Sequence, residues 1–381
     1  MRLFSASTLT LAVVLAMSTS AHAAGGATDY LTPTSSNTTA PSNWRIAPGM
    51  QFNGVAALDA SALLTFTSSD GGSYACSGSL MAGGAYVLTA GHCGDDVVGT
   101  MTIEFLYSNG TAGVTRTASA SDITLHPLWQ GFSNSADAGS DLSLIKLNQA
   151  VTTISGYHLS TTNDVGKQML IAGFGTSGTG GANGAPNWND GNFGHYAFNT
   201  ADVTSKTFNL TMNNYVSGWG ANASFYTGTT YMFDFDDAAN PAARNALQRV
   251  ADVTGNAWSS NAGITGEGLI AGGDSGGGDF VWNGSEWLLS SVHSWGWQGN
   301  EPTNDGVCDA VGITDCSPKK NNTSSFGDTS GSTAVFDQVA WISSVVGSQV
   351  VVVAVPEPQT LLMFGAGLLV MVRLKRRRAV S

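Results

Sequence analysis

Short apolar segments recur along most of this 381-residue chain, and clusters of Gly, Asn and Ser separate them. Examples are "SALLTFT", "AYVLTA", "MTIEFLY", "LSLIKL", "QMLIAGFG" and "EWLLSSVHSW". Segments of this length, bounded by turn residues, are typical of strands in an all-β sandwich or barrel. Helical patterns are weak, and the best candidates are residues 241–253 and 334–346. The pattern predicts an all-β protein with a short C-terminal helix, and 42% hydrophobic residues suffice for a sizeable core.

The charge of the chain argues against one class of partner. It has 27 Asp and Glu residues against 15 Lys and Arg residues, a net charge of −12. Several of the basic residues lie near the termini: Arg2, Arg373, Lys375, Arg376, Arg377 and Arg378. Nucleic-acid binding depends on Lys and Arg contacts to phosphates, so we expect no nucleic-acid partner. The acidity favours solubility instead.

The N-terminal segment has the pattern of a secretory signal peptide. Arg2 precedes an apolar run that reaches Met17, and the small-residue sequence Ala21-His22-Ala23 follows. We predict cleavage after Ala23, and an N-terminal anchor or buried helix is the alternative. Export permits disulfide bonds. Residues 24–45 are rich in Thr, Ser, Asn and Pro, which indicates a leader or pro-segment.

The C-terminal segment "VPEPQTLLMFGAGLLVMVRLKRRR" has three parts in order. Pro356, Glu357 and Pro358 precede an apolar run that is short for a full membrane span, and a basic cluster ends the segment. Such a cluster stays on the cytoplasmic side. The layout resembles the PEP-CTERM sorting signal of Gram-negative bacteria. That resemblance implies an exosortase as partner, transient anchoring in the inner membrane, and release to the outer surface or extracellular polymer. A plain tail anchor is the alternative.

Three sequence blocks carry residues suited to nucleophilic catalysis. "CSGSLMAGGAYVLTAGHC" contains His92, "DAGSDLSLIKL" contains Asp141 and "GGDSGGG" contains Ser275. A serine hydroxyl needs a base to take its proton, and imidazole does so near neutral pH. A buried carboxylate holds the imidazole in the required tautomer. Glycines beside the serine let backbone N–H groups point at a developing oxyanion. Taken singly, His92 could be structural and Asp141 a turn residue.

Together the blocks resemble the trypsin/chymotrypsin superfamily of serine proteases, in its secreted bacterial form, over about residues 46–346. The resemblance implies a double six-stranded β-barrel with the site between the barrels. It makes Ser275 the nucleophile, His92 the general base and acid, and Asp141 the orienting carboxylate, with the N–H groups of Gly273 and Ser275 as the oxyanion hole. The function implied is a serine endopeptidase that acts on protein or peptide substrates without a cofactor or metal. The alternative is an inactive member that serves as an extracellular binding or matrix protein.

The resemblance also implies a substrate-binding strand in "VHSWGW", where Ser294, Trp295 and Gly296 would pair with the substrate backbone. Leu269 takes the position at the base of the specificity pocket, which predicts a preference for apolar or small side chains. Ala271 stands where the family often has a cysteine, so the pocket lacks that bridge.

Four cysteines allow three pairings. The resemblance implies a Cys76–Cys93 bridge beside His92, which leaves Cys308 to pair with Cys316. A two-cysteine metal site is the alternative.

The sequence around Arg45 and Ile46 resembles an activation site. Family zymogens are cut before an Ile-x-x-Gly start, and the new ammonium group pairs with the Asp before the nucleophile, here Asp274. A linker role for Arg45 is the alternative. An acidic segment, "FDFDDAAN", contains Asp234, Asp236 and Asp237. These residues could bind calcium but lack the spacing of an EF-hand, so we interpret the segment as a solvated acidic turn.

The predicted organisation therefore has four parts in chain order. They are a signal peptide (1–23), a leader or pro-segment (24–45), a trypsin-like serine protease domain (46–349) and a sorting or transmembrane segment (350–381).

Overall fold

A computed structural model describes residues 41–178, 187–188, 190, 192–236, 245–258, 263–297, 307, 311–313 and 326–351. The predicted signal peptide, Cys308, Cys316 and the Pro356-Glu357-Pro358 motif lie outside these residues. By its contacts the chain divides into Met1–Val351 and Val352–Ser381, and the second unit lies wholly outside the described residues. Among the described helices, none is both long and apolar enough to cross a membrane.

The first barrel is built by one seven-stranded antiparallel sheet in the order β7-β6-β3-β4-β5-β9-β8. Its strands are β3 (Ser61–Ser68), β4 (Ser73–Leu80), β5 (Tyr86–Thr89), β6 (Val97–Phe105), β7 (Val114–Ser119), β8 (Ile123–Leu125) and β9 (Ser143–Lys146). A short 3₁₀ turn, Ala120–Asp122, connects β7 directly to β8. These two strands lie at opposite edges of the sheet, so one bent stretch of chain closes it and counts as a single barrel strand.

The second barrel repeats this arrangement in the order β13-β10-β16-β17-β18-β15-β14. Its strands are β10 (Gln168–Gly173), β13 (His195–Thr200), β14 (Val203–Thr204), β15 (Thr230–Asp234), β16 (Gly278–Trp282), β17 (Trp287–Trp297) and β18 (Thr329–Ala334). Only Ala201 and Asp202 separate β13 from β14, the two edge strands. Each barrel therefore has six strands along the chain, and the predicted all-β, trypsin-like double barrel is confirmed.

The structure also contains short hairpins and helices outside the two barrel sheets. Two hairpins pair β1 (Gln51–Phe52) with β2 (Val55–Ala56) and β11 (Ser177–Gly178) with β12 (Asn187–Trp188). The described helices are α1 (Phe132–Ser135), α2 (Ser205–Met212), α3 (Ala246–Thr254) and α4 (Val339–Val346).

Of the two helix predictions, 334–346 begins too early, and the first four residues of 241–253 lie outside the described residues. α3 starts after Asn245, whose side chain accepts a hydrogen bond from the Gln248 N–H and caps the helix. α4 begins at Val339 because Ala334, the predicted start, is the last residue of β18. The segment from Ala334 is thus strand first and helix only after a turn.

Strand β10 shows how the two barrels share their cores. Leu170 and Ala172 pack into the large core that fills the first barrel, whereas Met169 and Ile171 pack inside the second barrel. Successive residues of a strand point to opposite faces, so a strand between two cores is apolar on both. This explains why "MLIA", residues 169–172, is a continuous apolar run and not an alternating one.

The predicted solvated acidic turn is wrong for the two residues that can be checked. Asp234 and Asp236 are 1% and 4% exposed, and Asp237 lies outside the described residues. With Asp202 and Glu267 they form a set of four buried carboxyl groups, which we call the acid cluster. Two of them bind main-chain N–H groups, Asp234 from Leu247 at 2.8 Å and Glu267 from Asp236 at 2.6 Å.

Candidate active site

His92 and Asp141 meet because the strands next to them are paired. His92 lies in the 3₁₀ turn that follows β5, and Asp141 lies just before β9, the neighbour of β5. The His92 Nδ1 atom is 2.7 Å from Asp141 Oδ2, and the His92 backbone N–H donates to Asp141 Oδ1 at 2.9 Å. Two contacts to one carboxylate set both the position and the orientation of the imidazole.

The second barrel also reaches this carboxylate. The Ser294 hydroxyl, on β17, donates to Asp141 Oδ2 at 2.6 Å. Asp141 is fully buried, so its negative charge is balanced by these donors and not by water. The side chain of Ser294, predicted at the substrate-binding strand, thus contacts the carboxylate.

Aromatic side chains surround the His92 ring. Phe132 contacts it edge-on at 5.2 Å between ring centroids, and Trp129 lies at 6.5 Å and donates its Nε1–H to Asp95. Burial lowers the pKa of His92, but the charge and hydrogen bond of Asp141 outweigh burial and raise the pKa above its usual value. Burial also raises the pKa of Asp95. The histidine therefore holds a proton more readily than a free imidazole.

The main chain of Ser275 is fixed against the first barrel. Its carbonyl oxygen accepts the Ser77 N–H at 2.7 Å and lies 3.6 Å from Sγ of Cys93, the residue after His92. Among the hydrogen bonds of the described residues, His92 bonds to Asp141 and none joins it to Ser275. In enzymes without bound substrate, the hydrogen bond between a catalytic serine and its histidine is often long or poorly aligned.

The predicted Cys76–Cys93 disulfide is present. It joins β4 to the turn that carries His92. Sγ atoms of both cysteines lie close enough to His92 for a shared metal ion, but neither is a free thiolate because both are in the disulfide.

The loop before Ser275 is held by its carbonyl groups. Gly272 O accepts the Thr176 N–H at 3.0 Å, and Gly273 O accepts the Ser77 hydroxyl at 2.9 Å. Gly273 has φ of 96°, a conformation that favours glycine. Within the described part of the chain, no acceptor binds the N–H of Gly273 or Ser275. Both donors are left for a ligand.

The predicted activation residues make separate contacts. The Ile46 N–H donates to Gly194 O at 2.7 Å, and Arg45 forms an ion pair with Asp190 at 2.6 Å. Asp274 instead accepts main-chain N–H groups, from Gly175 at 2.8 Å and from Ala271 at 2.9 Å. In this uncut chain the Asp274 carboxylate is thus already held by the loop around it.

The remaining predicted residues lie along the second barrel. Leu269 is buried among apolar side chains inside it, and Trp295 packs against α2 and α3. Gly296 pairs with Ser330 of β18. On the other side of β17, pairing with β16 ends at Gly278, opposite Val292.

Sequence reasoning missed three contributions: the Ser77 hydroxyl, the Ser294 hydroxyl and the His293 side chain. Each joins segments distant along the chain, as when Ser77 binds Gly273. The sequence blocks that contain these residues indicated the neighbourhood of the active site. No spacing pattern indicated which of their side chains would form buried contacts there.

Comparisons with known proteins agree with this geometry. Residues 53–189 match the trypsin family model. Over these residues the chain is similar to the trypsin family. The match contains His92, Asp141 and the disulfide, but it ends before Ser275. Residues 354–378 match the PEP-CTERM protein-sorting motif. A trypsin-family domain indicates a hydrolase of the peptidase class, and the motif indicates export and surface sorting in a Gram-negative bacterium.

Solved structures are similar at the level of the fold. HL collagenase shares 16% identity, with a TM-score of 0.48, and the alignment covers 80% of this chain and 97% of that one. Protease Anisep from Arthrobacter nicotinovorans shares 17% identity, with a TM-score of 0.40, and covers 73% and 90%. No curated protein matches the sequence. At these scores neither likeness bears on activity.

Proposed function

We propose that the trypsin-family domain is a serine endopeptidase, with Ser275 as nucleophile, His92 as general base and acid, and Asp141 as the orienting carboxylate. The observation that carries the proposal is the His92–Asp141 pair at 2.7 Å, together with the Ser275 carbonyl oxygen that lies 3.6 Å from Sγ of Cys93, the residue after His92. Nucleophile, base and orienting acid are the parts that acyl transfer needs.

The reaction follows from these positions. The Ser275 hydroxyl attacks the substrate carbonyl carbon while His92 Nε2 takes its proton, and the C–O bond of a tetrahedral intermediate forms. His92 then donates that proton to the leaving amine as the C–N bond breaks, which leaves an acyl-enzyme. Water enters with His92 again as base and releases the acid and Ser275. Asp141 stabilises the imidazolium in both steps.

The loop before Ser275 supports an oxyanion hole. The Gly273 and Ser275 N–H groups have no acceptor within the described residues, and the carbonyls of Gly272 and Gly273 are held elsewhere. Each such donor is worth about 3 kcal/mol in the transition state.

The edge of β17 supports the proposed binding of the substrate backbone. Beyond Val292 this strand has β18 on one side only within the described chain, so residues Ser294 to Gly296 present backbone groups to an added strand. The apolar Leu269 gives no carboxylate for a basic P1 side chain, and we propose apolar or small residues at P1. Profiling on a peptide library tests this, and cleavage mainly after Arg or Lys would refute it.

We further propose that residues 1–23 direct export and that an exosortase acts near Pro356-Glu357-Pro358 after transient anchoring in the inner membrane. The match of residues 354–378 to the sorting motif supports this. Fractionation of cells that carry the wild-type chain or Glu357→Ala tests it: the variant should accumulate uncut in the membrane fraction.

Activation by cleavage after Arg45 is also part of the proposal. The freed Ile46 ammonium would have to replace the Gly194 contact and reach Asp274, which now binds Gly175 and Ala271. Mass spectrometry of the active secreted enzyme tests this activation step. A mature, active form that retains residues before Ile46 would exclude it.

Fluorophosphonate labelling of residues 24–354 tests the central proposal. Wild-type protein should be labelled, in the whole form or after trimming to Ile46, and Ser275→Ala should not be labelled in either form. Circular dichroism confirms that the variant is folded. A folded wild-type protein without label in both forms would show an inactive domain and direct attention to binding.

A further inference from the structure

A second histidine, His293, contacts the residues on both sides of the proposed nucleophile. His293 is fully buried on β17, one residue before Ser294. Its Nδ1 atom is 3.1 Å from the carbonyl oxygen of Asp274, and its Nε2 atom is 2.9 Å from Oδ1 of Asp279. The proposed mechanism uses neither nitrogen of this ring.

Both ring nitrogens of His293 face acceptors. A carbonyl oxygen donates no proton, and the other oxygen of the Asp279 carboxylate already accepts the Ser291 hydroxyl at 2.7 Å. With an ionised Asp279 carboxylate, both hydrogen bonds form together only when each ring nitrogen carries a proton, which is the imidazolium form. A neutral ring would leave one buried group without its hydrogen bond, which is costly.

The same residue organises the turn that holds Ser275. The His293 N–H donates to Gly277 O at 2.9 Å, and the Gly276 N–H donates to His293 O at 2.8 Å. Asp274 O accepts both the Gly277 N–H and the His293 ring. A Cβ atom added at Gly277 would lie only 2.8 Å from His293 Nδ1, so the ring packs tightly under the turn.

The charges around the ring favour its proton. Asp279 faces it from β16 and Asp274 from the turn, while its partner on β18 is the uncharged Ser332. Burial lowers the pKa of His293, but the Asp279 charge and hydrogen bond, with Asp274, outweigh burial and raise it. A buried ion pair with both hydrogen bonds made is costly to break from one side.

We propose that His293 is a positioning residue that acts as an imidazolium ion paired with Asp279 and holds the Asp274–Gly277 turn in the form that aims Ser275. The inference rests on the proposed serine endopeptidase function. Activity then requires a neutral His92 and a charged His293. It rises with pH as His92 loses its proton and falls at higher pH as His293 loses its proton.

The experiment compares Asp279→Asn with the wild-type enzyme. An Asn oxygen still accepts the Nε2 hydrogen bond, but the charge that favours the imidazolium is gone. The descending limb of kcat/KM, and of the fluorophosphonate labelling rate, should move at least one pH unit lower, with the ascending limb nearly unchanged. In wild type, ¹⁵N NMR should show two protonated ring nitrogens on His293 below that limb.

Glu286→Gln is the matched control. Glu286 pairs with the half-exposed His158 at 2.7 Å, in the turn at the far end of the β16–β17 hairpin from Ser275. Removal of this charge should leave both limbs in place. If Asp279→Asn fails to fold, the wild-type titration decides, because loss of a His293 ring proton must coincide with the descending limb.

Two failures are distinguishable. Labelling that keeps its descending limb in folded Asp279→Asn, or a singly protonated His293 at the pH of full activity, would overturn the positioning role alone. Absence of Ser275 labelling at every pH would refute the proposed function and, with it, this role.

Discussion

At the scale of single residues, the site is organised around the buried carboxylate of Asp141, which has only a few hydrogen-bond donors. Asp141 accepts the ring and backbone N–H of His92 and the hydroxyl of Ser294. These donors come from both barrels. A change at any one of them leaves a buried polar group without a partner, so residue-level effects should be large.

Asp141→Asn should lower kcat/KM by about 10⁴-fold, because an amide favours the wrong imidazole tautomer. Ser294→Ala should cost less, about 10- to 100-fold, since it removes one hydrogen bond to a charged group. Peptide hydrolysis with unfolding curves for each variant measures both effects. An Asp141→Asn enzyme within tenfold of wild type would contradict the assigned role.

Ser77→Ala should lower kcat about tenfold with little change in KM. The hydroxyl accepts the Phe174 N–H at 2.8 Å and donates to Gly273 O at 2.9 Å, so its loss frees the oxyanion loop. Ser79→Ala is a matched control on the same face of β4, because the Ser79 Oγ is buried and makes no hydrogen bond in the described structure. Equal losses in both variants would argue against this role.

At the scale of elements, the turn that carries His92 belongs to the first barrel but must meet a loop of the second. The Cys76–Cys93 bridge ties this turn to β4, and the Ser77 N–H of β4 binds Ser275 O. One strand thus contacts both the base and the nucleophile segments. A change that displaces β4 should therefore lower both the stability and the activity of the protein.

Replacement of Cys76 and Cys93 by Ala should lower the free energy of unfolding by about 2–4 kcal/mol. The bridge spans 17 residues of sequence, and its removal gives the unfolded chain more freedom. Urea unfolding measures the change, with Cys308→Ala/Cys316→Ala in parallel to separate this crosslink from a general loss of cysteines. An unchanged unfolding midpoint would show that β-sheet pairing alone holds the turn.

At the scale of the whole molecule, the second barrel buries four carboxyl groups close together. Burial raises the pKa of each carboxyl group in the acid cluster, formed by Asp202, Asp234, Asp236 and Glu267. Among the described residues, the Asp202 and Asp234 side chains are hydrogen-bonded to each other, which requires a proton on one of the two carboxyl groups. Folding therefore favours the protonated forms of these groups.

The acid cluster should lower the free energy of unfolding as pH rises above about 4, the pKa value for an unperturbed carboxyl group. Where the folded pKa lies above the unfolded value, the native state binds more protons, so the free energy of unfolding falls with pH between the two values. Asp137, whose pKa burial raises to about 7, acts in the same direction. The raised pKa values of His92 and His293 add to the loss as pH passes through them.

Urea unfolding at a series of pH values measures this loss. Asp202→Asn should flatten the dependence and raise stability at pH 8, because an uncharged amide replaces a buried acid. Asp252→Asn, on the exposed side of α3, is the control and should leave the curve unchanged. A stability that increases steadily to pH 8 would be incompatible with the acid cluster as described.

Much of the fold followed from local patterns. Short apolar runs between glycine clusters predicted the strands. A strand such as β10, which faces two cores, does not show the alternation of apolar and polar residues. The start of α4 was misplaced because the end of β18 is decided by the strands that pair with it. The buried state of Asp234 and Asp236 was missed for the same reason: an acidic run in sequence gives no sign of what packs over it.

The sequence by itself determined the all-β class, the blocks that carry His92, Asp141 and Ser275, and the sorting segment, since each is a pattern of neighbouring residues. Only the tertiary structure decided that Ser77 binds Gly273, that Ser294 binds Asp141 and that His293 contacts the turn around Ser275. These contacts join residues up to 196 positions apart. Hydrogen bonds depend on distance and direction in space, and barrel closure, not sequence spacing, sets both.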